Sequence, residues 1–141
     1  MNSAAILQPM LGVMVLTAIV WFVMYARRIP AMQRARKPVQ EYTTPDKVVE
    51  LLPEVVNNPA NNLRNLFELP VMFYALCLYL YVTGTAQQPD VIAAWVFLVF
   101  RVFHSAIQCT VNVVMLRFTT YCIAAFALWF LLARAVFGVF S

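Results

Sequence analysis

The sequence predicts an all-α fold, a four-helix transmembrane bundle, and three observations carry that expectation. Hydrophobic residues make up 63% of the 141 positions and charged residues only 11%, against roughly 25% charged residues in soluble domains. Mean hydropathy is +0.77. The apolar residues are gathered into four runs, at about 6–26, 61–83, 91–114 and 118–140, each near the roughly 20 residues that an α-helix needs to cross a bilayer. Little chain is left for anything else, so a single membrane domain over 1–141 is expected.

The first run carries no charge, only Gln8, Pro9 and Thr17 near its start. A secretory signal peptide places basic residues before its apolar core and a small-residue cleavage site after it. Here Arg27 and Arg28 follow the run, so it is expected to stay as the first transmembrane helix. Residues 27–60 form the one long polar stretch, a connecting loop interrupted by Pro30, Pro38, Pro45, Pro53 and Pro59, which argues against one long helix there. Thr44, Pro45 and Asp46 before Val48, Val49, Leu51 and Leu52 read as the start of a short helix. The second run closes at Gly84 and a tight polar connection through Asp90, after which the third and fourth runs follow.

Charge then orients the bundle. Six of the ten basic residues, Arg27, Arg28, Arg34, Arg36, Lys37 and Lys47, lie in the first connection, and Arg117 lies in the third. That distribution reads as membrane topology, not as a nucleic-acid surface. It predicts cytoplasmic first and third loops, and an inner membrane of bacterial type is the expected location. Cys77, Cys109 and Cys122 stand alone in apolar sequence, without a CxxC pair, and are expected to pack as small hydrophobes.

The polar residues inside the apolar runs are the functional signal, since an ionisable side chain within a span costs about 2.5–3.5 kcal/mol on insertion scales. Asn61, Arg64, Asn65 and Glu68 fall at i, i+3, i+4 and i+7, one stripe of a helix. Arg101, His104 and Gln108 repeat that spacing on the third run, with Asn112 continuing the stripe, and Arg117 precedes Tyr121 by one turn on the fourth. Three arginines against Glu68 leave excess positive charge, which calls for an anionic ligand, a lipid head group or a neighbouring carboxylate. A structural alternative stays open: Arg64 pairs with Glu68, and Asn65 and Gln108 are hydrogen-bonding glue between helices. His104 has no second His, Cys or Asp at ligand spacing, so no metal site is expected. A pore is disfavoured because the polar residues gather in one leaflet.

Two motifs carry a resemblance to a known family. Arg64-Asn65-x-x-Glu68 is followed by Pro70, and Arg101-x-x-His104 is followed after twelve residues by Arg117-x-x-x-Tyr121. Together they resemble the MAPEG family, the membrane-associated proteins of eicosanoid and glutathione metabolism, and most closely its microsomal prostaglandin E synthase pattern. The resemblance covers the apolar runs and leaves the first loop outside. It implies a homotrimer of four-helix bundles, with glutathione in a cytoplasm-facing cleft and a lipophilic electrophile arriving from membrane lipid. It implies Arg117 as the catalytic residue that stabilises the glutathione thiolate. Arg64, Asn65, Glu68, Arg101, His104 and Tyr121 would bind the cofactor, and Arg28 would reach the cleft from the first helix. Two positions depart from the family pattern: Gln108 stands where a tyrosine is common, and Phe118 replaces the hydroxyl residue after the key arginine. A glutathione-dependent transferase or peroxidase is therefore the leading reading, and a noncatalytic lipid-binding or scaffold subunit of the same fold is the alternative.

Overall fold

A computed structural model describes residues 3–140 of the chain. A 3-10 turn at Ser3–Ile6 leads into α1 (Leu7–Ala35), and a second at Val39–Tyr42 leads into the short α2 (Pro45–Leu51). Then follow α3 (Glu54–Leu66), α4 (Leu69–Val82), α5 (Gln88–Cys109) and α6 (Val114–Phe140). No strand occurs among the described residues. Four helical stretches are long and apolar enough to cross a membrane: Ser3–Ala35, Glu54–Val82 (α3 and α4 together), Gln88–Cys109 and Val114–Phe140. The protein is an integral, multi-pass, four-helix membrane bundle.

The outer surface of the bundle is apolar, and several polar side chains lie inside it. Phe22, Phe126 and Phe137 are exposed, whereas Asn57, Asn58, Asn62, Asp90, Arg101, His104, Ser105 and Gln108 are buried. Lipid cannot hydrogen-bond polar groups, so they must find partners inside the protein. The apolar core joins Ile6 and Val13 of the first helical stretch to Phe73 of α4, Phe97 of α5 and Leu128 and Leu131 of α6. Phe73 and Phe97 stack with ring centroids 4.2 Å apart. The most extensive helix contact is α5 against α6, where Ala93, Ala94, Ala124, Ala127 and Ala135 are buried. Such small side chains let two backbones approach closely where no hydrophobic effect drives them together.

The stretch 27–60, expected as a loop, is largely helical. α1 continues through Pro30 to Ala35 and ends on Arg36 in the left-handed region (φ 51°). α3 begins at Glu54 and contains Pro59. Proline inside a helix deprives the carbonyl four residues back of its donor; for Pro59 that carbonyl is Val55, and the Arg27 guanidinium donates to it at 3.4 Å. The short helix expected after Thr44 is present, with Lys47 N–H donating to the Thr44 hydroxyl at 3.4 Å.

The second predicted helix, 61–83, is broken in two. Pro70 has no N–H for the Leu66 carbonyl, so α3 stops at Leu66, Phe67 and Glu68 turn, and α4 restarts at Leu69 with Pro70 in its first turn. α5 starts and ends earlier than the predicted 91–114. A capping box between Gln87 and Asp90 opens it at Gln88. Asn112, with φ 48°, turns the chain after Cys109, so α6 starts at Val114 and not at 118.

The end of the bundle remote from the first loop is closed by one ion pair. Arg134 Nε donates to Asp90 Oδ1 at 2.5 Å, and Arg134 Nη2 donates to Gln87 Oε1 at 2.8 Å. Asp90 is 1% exposed, and its Oδ2 also accepts the Gln87 N–H at 2.8 Å. Helix start and helix pairing are thus fixed by one carboxylate.

Candidate functional site

The opposite end of the bundle gathers most of the polar residues singled out by spacing. Arg101 on α5 is fully buried. Its Nη2 donates to the Asn65 side-chain Oδ1 at 2.7 Å and to the Asn65 carbonyl at 3.2 Å. That carbonyl lies in the last turn of α3, where the break before Pro70 leaves the helix unable to continue in register. The Arg101 Nε and Nη1 are buried and have no partner among the described residues. The guanidinium carbon stands 5.8 Å from the centroid of the Tyr121 ring, within reach of a cation–π contact. Arg101 forms no ion pair, although the Glu68 carboxylate acts on it at longer range; the ion pairs among the described residues are Lys37–Glu41 and Arg134–Asp90.

His104, one turn after Arg101, engages both ring nitrogens. Nδ1 lies 2.9 Å from the Arg117 carbonyl oxygen, and Nε2 lies 3.1 Å from Gln108 Oε1. A carbonyl only accepts, so Nδ1 carries a proton, and the Gln108 amide serves Nε2 in either orientation. His104 therefore ties α5 to α6 and has no free nitrogen for a metal. No group of three or more His, Cys, Asp and Glu suited to a metal ion occurs among the described residues. The His104 and Tyr121 rings lie 5.8 Å apart, centroid to centroid.

Arg117 is held at two points: its backbone carbonyl by His104, and its side-chain Nη1 by Asn112 Oδ1 at 2.6 Å. Beside it is a cavity of about 280 Å³ lined by Asn65, His104, Val114, Met115, Arg117, Phe118 and Tyr121. The lining carries a cation and no carboxylate, and the buried Arg101 cation stands just behind it on Asn65 and Tyr121. The arrangement can take an anionic or thiol-bearing ligand through charge-assisted hydrogen bonds.

Four of the residues expected at the site lie on this cavity: Asn65, His104, Arg117 and Tyr121. Arg101 supports it from behind. Arg64 and Glu68 are exposed, do not line it, and do not pair with each other, so the open i, i+4 ion-pair alternative is not what the structure adopts. Glu68 stands at the break, with non-helical backbone angles between α3 and α4, so helical i, i+4 geometry does not extend from Arg64 to it. Arg28 does not line the cavity either, and its Nε is buried without a partner among the described residues. Its neighbour Arg27 does the joining instead, donating to the Cys109 carbonyl at 2.6 Å.

A second asparagine face, not singled out by the spacing from Asn61, points into the bundle. Asn61 is exposed, whereas Asn58, Asn62 and Asn65 at i, i+4 and i+7 turn inward. Asn62, fully buried, accepts from the Ser105 hydroxyl at 3.3 Å and donates to Cys109 Sγ at 3.6 Å. The signal for that face was present in the run of asparagines from Asn57 to Asn65, once α3 is known to begin at Glu54. Cys77 and Cys109 are buried, Cys122 is partly buried, and all three are unbridged.

Among known proteins, the family model described as the MAPEG family matches residues 6–137. No curated protein and no solved structure matches the chain.

Proposed function

The chain belongs to the MAPEG family, and from that premise we propose that it is a glutathione-dependent membrane transferase or peroxidase acting on a lipophilic electrophile. The observation that carries this reading is Arg101, a fully buried guanidinium with two unpartnered N–H-bearing nitrogens, no ion pair, and only the longer-range field of the exposed Glu68 carboxylate set against it. A buried charge without an ion pair is costly, and a ligand carboxylate approaching from the cavity side would add a direct countercharge. The residues present fit glutathione on that ground, being rich in donors and cations at the end where family members bind it.

Bound glutathione would supply a thiol whose thiolate is the nucleophile for conjugation, peroxide reduction or isomerisation. The chain's own residues do the rest. Arg117 presents a guanidinium at the cavity and favours the ionised form of a thiol beside it. Asn65, anchored on Arg101, offers amide hydrogen bonds to a peptide-like ligand. Val114, Met115 and Phe118 form an apolar margin against which a lipophilic substrate can lie. Phe118 is 59% exposed, so that margin opens outward.

A homotrimer belongs to the same reading. The cavity of one chain, about 280 Å³, is at or below the roughly 300–1,000 Å³ of ligand pockets. Arg64 and Glu68, exposed and flanking Asn65 in sequence, would serve a cleft completed by a neighbouring copy. Sidedness follows from charge: the first-loop end carries Arg27, Arg28, Arg34, Arg36, Lys37 and Lys47, whereas Arg134 at the far end is neutralised by Asp90. We therefore assign the first-loop end to the cytoplasm.

Gln108 and Phe118 favour a second reading, a lipid-binding or scaffold subunit without turnover. Gln108 is occupied with His104, and Phe118 brings no hydroxyl to the cavity. Calorimetry of glutathione on detergent-solubilised protein, followed by turnover of a lipophilic aryl halide, separates the two. The enzyme reading expects saturable binding, and it expects Arg117→Ala to abolish turnover while the assembly stays intact. Absence of binding at millimolar glutathione would reject it; binding without turnover would favour the scaffold.

A further inference from the structure

Arg117 and Glu54 approach the same asparagine from opposite sides. Asn112 Oδ1 accepts from Arg117 Nη1 at 2.6 Å, while Asn112 Nδ2 donates to Glu54 Oε1 at 3.2 Å and to Asn58 Oδ1 at 3.4 Å. Chemistry fixes the amide orientation, because a guanidinium only donates and a carboxylate only accepts. Asn112 sits in the turn between α5 and α6 with φ 48°, and its N–H donates to the Ile107 carbonyl at 2.7 Å. Asparagine is one of the few residues other than glycine to visit that left-handed region readily, so backbone and side chain are suited together.

From this placement we infer that Asn112 is a positioning residue, a neutral spacer that aims Arg117 at the cavity and keeps Glu54 from neutralising it. The inference rests on the glutathione reading for its functional consequence, and on the geometry alone for its structural content. No ion pair joins Glu54 to Arg117. The Arg117 Nε and Nη2 have no hydrogen-bond partner among the described residues, which leaves donors for an anion at the cavity that Arg117 lines. A direct Glu54–Arg117 pair would consume those donors and cancel the charge that favours a thiolate. The link also makes the site depend on α3: Glu54 opens that helix and Asn58 lies one turn in, so the polar segment after α1 holds the catalytic arginine through one amide.

Three variants test it. Asn112→Gly keeps the left-handed backbone accessible and deletes the spacer. Glu54→Gln removes the carboxylate that the spacer holds off, and pairing it with Asn112→Gly leaves Arg117 with neither spacer nor carboxylate. The first readout needs no glutathione: the rate at which phenylglyoxal modifies Arg117 in the detergent-solubilised protein, followed by mass spectrometry. The second is the ultraviolet absorbance of thiolate when glutathione is added.

We expect Asn112→Gly to slow Arg117 modification by about tenfold, the factor equivalent to one charge-assisted hydrogen bond, because Glu54 then pairs with the guanidinium. It should lose the thiolate signal while retaining glutathione affinity within about threefold, because the ligand's carboxylate contacts are untouched. Asn112→Gly with Glu54→Gln, in which no carboxylate is left to pair with Arg117, should restore the natural modification rate. Equal modification rates in the natural chain and Asn112→Gly overturn the inference, as does failure of the paired variant to restore the rate. If the natural chain shows no thiolate signal, the glutathione reading fails, and the modification rates still decide whether Asn112 holds Arg117.

Discussion

Arg27 on α1 donates to the carbonyl oxygen of Cys109 at 2.6 Å, a bond that ties the first helix to the last residue of α5. The same Nη1 also reaches the Val55 carbonyl at 3.4 Å, which Pro59 leaves without its helical donor. One guanidinium thus satisfies a helix C-terminus and a proline gap, and its positive charge suits the negative end of the α5 dipole.

Arg27→Met keeps the length of the side chain and removes its donors. It should lower stability by about 1.5–3 kcal/mol, the range for hydrogen bonds to charged groups. Thermal unfolding in a fixed detergent measures it, and a melting temperature equal to that of the natural chain would show the clamp to be dispensable.

Pro70→Ala returns an N–H to the Leu66 carbonyl and allows α3 and α4 to run on as one helix. Helicity by circular dichroism should rise slightly while Asn65 is drawn away from Arg101. Glutathione affinity should then fall by about tenfold; higher helicity with unchanged affinity would separate the break from the ligand site.

Arg134→Met leaves the Asp90 carboxylate buried and unpaired. Because the Arg134 side chain is 32% exposed, water screens part of the pair. The expected loss is about 1–2 kcal/mol, below that of a fully buried pair. A double-mutant cycle with Asp90→Asn should give a coupling well above zero, and additive effects would mean that the two residues act independently.

Gly12 lies where α1 meets α5, and a Cβ there would come within 2.5 Å of Leu98 Cδ2. Gly12→Val should cost about 1–3 kcal/mol through overpacking, and Leu98→Ala in the same chain should recover much of it. No recovery would place the strain elsewhere than at Leu98.

The spans were legible because uninterrupted apolar runs have few other uses, and the membrane makes no demand on their outer faces beyond hydrophobicity. Arg101, His104 and Gln108 were legible for a related reason: helical spacing on an unbroken helix maps directly onto space. Arg64 and Glu68 are exposed and lie off the cavity of the single chain, with Pro70 interrupting the helix that carries them. The expectation of a loop failed at Pro30 and Pro59, inside α1 and α3. Proline is a local signal of interruption, and at Pro59 the lost bond is replaced by Arg27, a residue distant in sequence whose role no window of neighbouring residues contains. Asn112 was read as part of a stripe and is a turn, which places it between Arg117 and Glu54.

The length of α1 has its own consequence. Its 29 residues span about 44 Å at 1.5 Å per residue, whereas the hydrocarbon layer is about 30 Å thick. Once the apolar part of the helix is matched to that layer, the basic end from Arg27 onward rises out of the oily slab as a post. Arg27, which ties Cys109 and Val55, stands at the foot of the post, level with the boundary between acyl chains and head groups. A bilayer with shorter acyl chains would strand the apolar turns below it in water and set tilt of α1 against that clamp. Host lipid thickness is thereby a mechanical input to the end of the bundle where the cavity lies.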